Sequence, residues 1–138
     1  MSTSQFIIDD GLHNVVFKNN KGEVFSEFSF NPSDTGLLSR YDSFIEFLES
    51  LEIKEDGDTA SQILEFENSI KEKIDELFNR NVSENIFKTY SPCTIFANGD
   101  MFIEVVIKHM GDVIEKETDN RLKKKVAKIK KATEKNRV

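Results

Sequence analysis

Cys93 is the strongest nucleophile in this 138-residue chain and its only cysteine. A catalytic thiolate needs a neighbouring base or a helix N-terminus to lower its pKa. The two histidines, His13 and His109, are remote from it in sequence, and no recognisable motif surrounds it in "YSPCTIFANGD". Cys93 therefore reads as a buried, inert thiol. One Cys and two His at irregular spacing do not make a zinc ligand set either. A second candidate is "NPSDTGLLSRYDSF", Asn31 to Phe44. As a phosphate loop it lacks the pattern G-x-x-x-x-G-K-[ST] and a lysine. As a calcium loop it lacks acids at EF-hand spacing. A third candidate is the run of Glu65, Glu67, Glu72, Asp75 and Glu76 interleaved with Lys71 and Lys73. Such a run is a solvated helix face and pairs no catalytic carboxylates. With no glycine-rich cofactor loop, metal set or nucleophile–base pair, the expectation is a binding protein without a cofactor, not an enzyme.

The elements that position these residues follow from periodicity. His13 to Lys18 and "VFSEFSF" are β-prone runs joined by "NNKGE", whose Asn20 and Gly22 are turn residues. Alternation places Val24, Ser26, Phe28 and Phe30 on one face and Phe25, Glu27 and Ser29 on the other. Residues 13 to 30 thus predict a β-hairpin. A lone hairpin is marginal in water, so a third strand at Gln5 to Ile8, or a helix over the Phe face, must support it. Asn31-Pro32 ends the strand, because Pro offers no N–H to a ladder. Ser33 or Asp34 is then an N-cap for a helix from Thr35 to Leu51, whose stripe is Leu37, Tyr41, Phe44, Ile45, Leu48 and Leu51. After "EDGD", Thr59 and Gln62 form a capping-box pattern. The helix they open runs to Asn79 with the stripe Ile63, Phe66, Ile70, Ile74, Leu77 and Phe78. A short third helix starts at Ser83 and includes Ile86, Phe87 and Tyr90. Asp100 caps a last helix in which Ile103 and Ile107 broaden the stripe of Met101, Phe102, Val105, Val106, Met110, Val113 and Ile114, so more than one side is buried. The fold class is α+β: a β-hairpin or small antiparallel sheet packed on a body of three to four helices.

Charge divides the chain. From Thr118 onward there are nine basic and two acidic residues, a net of +7, while the first 117 residues hold ten basic and 23 acidic, a net of −13. Residues 1–117 read as one acidic domain and 118–138 as a basic tail, either a helical extension or disordered. Leu122, Val126 and Ile129 keep a narrow apolar stripe there among Lys123, Lys124 and Lys125. These six are the candidate protein-binding residues. The acidic body disfavours nucleic acid, leaving the tail as the one segment suited to it. No aromatic residue supports membrane binding by the tail. The longest apolar stretch, Met101 to Ile107, is interrupted by Glu104 and is far short of the roughly 20 residues a span needs. "MSTSQFIIDD" does not have the form of a signal peptide. A lone cysteine fits a reducing cytoplasm.

Two segments resemble a known family. "FNPSDTGLLSRYDSF" is similar to the segment with which small siphophage tail-cluster proteins enter their first helix. "IDELFNRNVSENIFKTYSPCTIFANGDMFIEVVIKHMGDVIEK" resembles their later part. There a helix ends in a Phe-Asp-x-Leu-Phe-like run, a short Gly-containing loop follows, and an apolar helix closes the domain. Ile74 to Phe78 and Asp100 to Lys116 occupy those places, and the resemblance covers residues 28 to 117. These proteins are similar to tail assembly chaperones, which bind the tape measure protein while the tail tube forms. The resemblance implies a protein client, the tape measure protein, and a site of action in the host cytoplasm. Two other readings stay open: a small acidic inhibitor of a host nuclease or defence protein, and a structural tail component. The opposite charges of body and tail add the expectation of a homo-oligomer, with Leu122, Val126 and Ile129 of one copy against an apolar groove of the next.

Overall fold

The alternation in residues 13 to 30 folds as a hairpin, and the helical spacing after Pro32 folds as helices. The computed structural model describes residues 1–135. Its elements are β1 (His13–Lys18), β2 (Val24–Phe30), α1 (Leu37–Glu49), α2 (Thr59–Phe78), α3 (Ser83–Ile86) and α4 (Phe102–Lys135). The chain is α+β, a two-stranded antiparallel sheet followed by four helices among the described residues.

The sheet presents His13, Val15 and Phe17 opposite Phe30, Phe28 and Ser26. Between Phe17 and Lys18 the register slips, because Lys18 pairs with Val24 and leaves Phe25 over. The extra residue is a β-bulge, and it corrects the expected faces. Phe25 turns inward, where it meets Tyr90 at 5.1 Å and Phe102 at 5.7 Å between ring centroids, while Val24 is exposed. The support for the hairpin is helical rather than a third strand. Residues 5–8 are unpaired, and Phe6, Ile7 and Ile8 are exposed. Phe28 and Phe30 instead pack on Phe78 of α2, each at 5.3 Å.

The helix stripes pack inward as their spacing requires. Leu37 and Phe44 of α1, and Ile70, Ile74, Leu77 and Phe78 of α2, are buried in one core with Phe102, Val106, Met110 and Ile114 of α4. Asn79 closes α2 with φ 51°, the left-handed conformation that Asn tolerates, and the N–H of Arg80 returns to the carbonyl of Asp75. The Asp75 carboxylate accepts the N–H groups of Val82 and Ser83 and the Ser83 hydroxyl, each at 2.8 Å. Those bonds set α3 as a single turn that stops before Phe87 and Tyr90.

The three expected caps are corrected. The residue before α1 is Gly36, with no side-chain cap. Asp34 lies two residues earlier, where its carboxylate accepts the Gly36 N–H at 3.0 Å and pairs with Arg40. The N-cap of α2 is Asp58, which accepts the Ala60 N–H; Thr59 is already helical. Ahead of α4, the Asp100 carboxylate takes the Asn98 side-chain amide, and Glu104 accepts the Met101 N–H. The Phe102 and Ile103 N–H groups donate to the carbonyls of Thr94 and Pro92 at 2.8 and 2.9 Å. The preceding loop, turned at Gly99 with φ +92°, thus satisfies donors that a cap would otherwise meet.

The charge boundary at Glu117 is not a break in the backbone. α4 runs through it for 34 residues, about 51 Å at 1.5 Å per residue. Thr118, the first residue assigned to the tail, is fully buried. Residues 136–138 of that tail lie outside the described residues. Arg121 anchors the helix to the body, donating to the Gly11 carbonyl at 3.0 Å and the Ser33 hydroxyl at 2.9 Å. Beyond it, every residue from Leu122 to Ile129 is exposed. A helix exposed on all sides projects from the body as an arm.

Candidate functional site

An apolar recess of the surface lies beside the N-terminal end of α4. Its floor is Ile63, Phe66 and Ile70 of α2 with Ile103 of α4. One wall is the end of α1 and the loop after it, with Leu48, Leu51 and Ile53; the other is the loop before α4, with Cys93, Ile95 and Met101. The groove encloses about 470 Å³.

Both walls are loops, and α2 holds each of them through a side chain. Gln62, expected to complete a capping box, binds Lys54 at both backbone groups instead. Its carbonyl oxygen accepts the Lys54 N–H at 2.6 Å, and its amide donates to the Lys54 carbonyl at 3.0 Å. This imitates a strand partner and holds Ile53 beside the recess. Glu67 accepts the Cys93 N–H at 3.1 Å, and an isolated bridge pairs Ile95 with Met101. Ile53 and Ile95 are left 51% and 69% exposed. Isoleucines held in place and open to water on the rim of an apolar recess are a surface suited to another protein's side chains.

The electrostatics are acidic. Glu49 and Glu104 line the recess, and Glu52, Asp56 and Glu65 line the adjoining hollow around Gly57. Cys93 is half-buried in the groove wall rather than in the core, which corrects the expectation of full burial. Its thiol pKa is pushed up, first by burial and then by the Glu67 carboxylate, so the thiol form predominates near neutral pH. His13 lies edge-on to Phe30, and His109 lies beside Phe17. Among the described residues no group of three or more His, Cys, Asp and Glu is arranged to hold a metal ion.

The candidate residues chosen from sequence sit on the projecting arm, away from this groove. Leu122 is 37% exposed, Val126 is 61% exposed and Ile129 is exposed as well. Lys123 bonds Asp119 at 2.9 Å one turn back, a pair on the open surface. Lys124 and Lys125 join Lys128, Arg121, Ser33 and Thr35 around a shallow basic hollow under Leu122. The arm and the groove contrast in character, one basic with an apolar stripe, the other apolar with acidic edges. Sequence reasoning missed the groove. The available signal was an isoleucine in each of two polar loops, Ile53 beside "KEDGD" and Ile95 before "FANGD".

Set against known protein families, curated proteins and solved structures, the chain matches none. No helix among the described residues is long and apolar enough to cross a membrane.

Proposed function

We propose that this is a non-enzymatic binding protein of phage tail assembly, a chaperone that holds an apolar stretch of the tape measure protein in the groove between α1, α2 and the loop before α4. The observation that carries the reading is that groove, with Ile53 and Ile95 held open at its rim and carboxylates around it. A long helical client exposes apolar stripes before it is packed into a tube. A shallow apolar recess covers such a stripe reversibly, and the surrounding negative charge keeps the complex soluble. The resemblance of residues 28 to 117 to tail-cluster proteins points to the same client and to action in the host cytoplasm. Chemistry within the groove is not part of the reading: its thiol is protonated and its two carboxylates are on the edge.

Co-expression with the tape measure protein of the same genome tests it. The expected result is a soluble complex that Ile53→Glu or Ile95→Glu disrupts while the circular dichroism spectrum is unchanged. A tape measure protein that is equally insoluble with and without this chain overturns the reading.

A further inference from the structure

We propose that the projecting half of α4 docks into the apolar groove of a second copy of this chain. Three observations carry the inference. The first is charge. The arm belongs to a segment of net +7 and the groove to a body of net −13, and the residues that border each surface carry that sign: lysines beside Leu122 and Val126, glutamates beside Ile53 and Ile95. The second is shape. Leu122 and Val126 are four residues apart and lie on one face of a helix, and an exposed helix face of this width is what a shallow apolar trough between two loops accommodates. The third is reach. Ile103 of the groove and Val126 of the arm are on the same helix, about 35 Å apart at 1.5 Å per residue. A continuous helix cannot fold back on its own first turn, so an arm fills a groove only in another molecule.

The arm also needs such a partner. A helix that is polar on most sides and exposed from Leu122 to Ile129 draws little stability from packing. Among the described residues its ion pairs are Asp119–Lys123 and Glu117–Arg121. Docking buries its apolar face and removes Ile53 and Ile95 from water. The contact joins two different surfaces, so it either closes by reciprocal exchange of arms between two copies or propagates head to tail. It places self-association and client binding in competition for one groove. The inference does not require the client reading: a chain that self-docks but fails to hold the tape measure protein keeps this inference and loses that one.

The test uses the full chain and its single cysteine, which already lies in the groove wall. Val126→Cys is treated with a short bismaleimide and the linked peptides are identified by mass spectrometry. The expected product is an interchain link between positions 93 and 126, abolished by adding Cys93→Ser. Sedimentation of the unmodified chain is expected to show association that rises with concentration and weakens moderately in 1 M salt, where the screening length falls to about 3 Å. Val126→Glu and Ile95→Glu, both at exposed positions, are each expected to weaken it by about tenfold or more. Links only between two copies of position 126 would assign the arm to an arm–arm contact and overturn the proposal. Monomers at every concentration, or association that Val126→Glu weakens and Ile95→Glu does not, would overturn it as well.

Discussion

From Phe102 to Thr118, α4 buries Phe102, Ile103, Val106, Ile107, Met110, Ile114 and Thr118; from Leu122 to Ile129 the same helix buries nothing. The backbone geometry is continuous across the two halves. The difference is the width of the apolar face. In the first half Ile103 and Ile107 stand beside the main stripe, so both the sheet and α1 find surface to cover. Phe102 alone is ringed by Phe17, Phe25, Phe87, Tyr90 and Phe96. In the second half the stripe is one residue wide and lysines flank it, so covering it from the body would desolvate charge for little apolar gain. A helix can therefore be core at one end and interface at the other without a change in secondary structure.

The largest expected effect breaks the buried half. Phe102→Ala should cost about 3–5 kcal/mol, against about 0.5 kcal/mol or less for Val126→Ala, both read from urea denaturation of the monomer. Equal costs would mean that the two halves are covered alike. A smaller effect is expected at Gly111, where a Cβ would come within 2.6 Å of the Tyr41 hydroxyl oxygen. That hydroxyl donates to the Ile107 carbonyl at 3.1 Å, which ties α1 to α4. Gly111→Ala should destabilise by about 1–2 kcal/mol despite the better helix propensity of Ala. Tyr41→Phe in the same chain should recover the loss, and failure to do so would place the cost elsewhere.

Arg121 marks where one half gives way to the other. Arg121→Ala removes the bonds to Gly11 and Ser33, and the expected cost is about 1 kcal/mol for a partly solvated set. Amide exchange should quicken from Thr118 outward while the protection of Val106 and Met110 is unchanged. Protection lost equally along α4 would show that the anchorage supports the whole helix.

Two ion pairs give the finest comparison. In the body, Asp34 pairs with Arg40 and accepts the Gly36 N–H; in the arm, the more exposed Lys123 pairs with Asp119. Asp34→Ala should cost about 1 kcal/mol, an amount already discounted for partial exposure, and Lys123→Ala should leave stability unchanged. The Asp34 carboxyl is held below its ordinary value of 3.8, chiefly by the Arg40 hydrogen bond. A carboxyl depressed in the folded state contributes stability above its unfolded pKa and loses it as pH falls through the folded one. Asp34→Asn should therefore flatten the stability profile below about pH 4, and an unchanged acid limb would remove Asp34 from that account.

Much of the fold was legible from periodicity. The stripes at Leu37, Tyr41 and Phe44, and at Ile70, Ile74 and Leu77, became the core faces of α1 and α2. The bulge at Phe25 was not legible, because alternation assumes an unbroken register, and the slip follows from Phe25 packing on Tyr90 and Phe102. Gln5 to Ile8 has strand composition but no strand, since Phe78 of α2 already covers Phe28 and Phe30 of the hairpin. The groove was least legible. Ile53 and Ile95 are 42 positions apart in loops, and they flank one recess only because Gln62 and Glu67 hold those loops to α2.

Local pattern thus determined which residues form hairpin and helix, where Pro32 divides the two, and that an acidic body adjoins a basic segment. Such properties depend on neighbours within a few positions, so one sequence carries them. Which helix ends are satisfied by side chains and which by a passing loop, how far α4 stays covered, and where apolar loops meet were decided by packing between distant segments. That competition is settled by shape and desolvation across the whole molecule, and no short window of residues contains it.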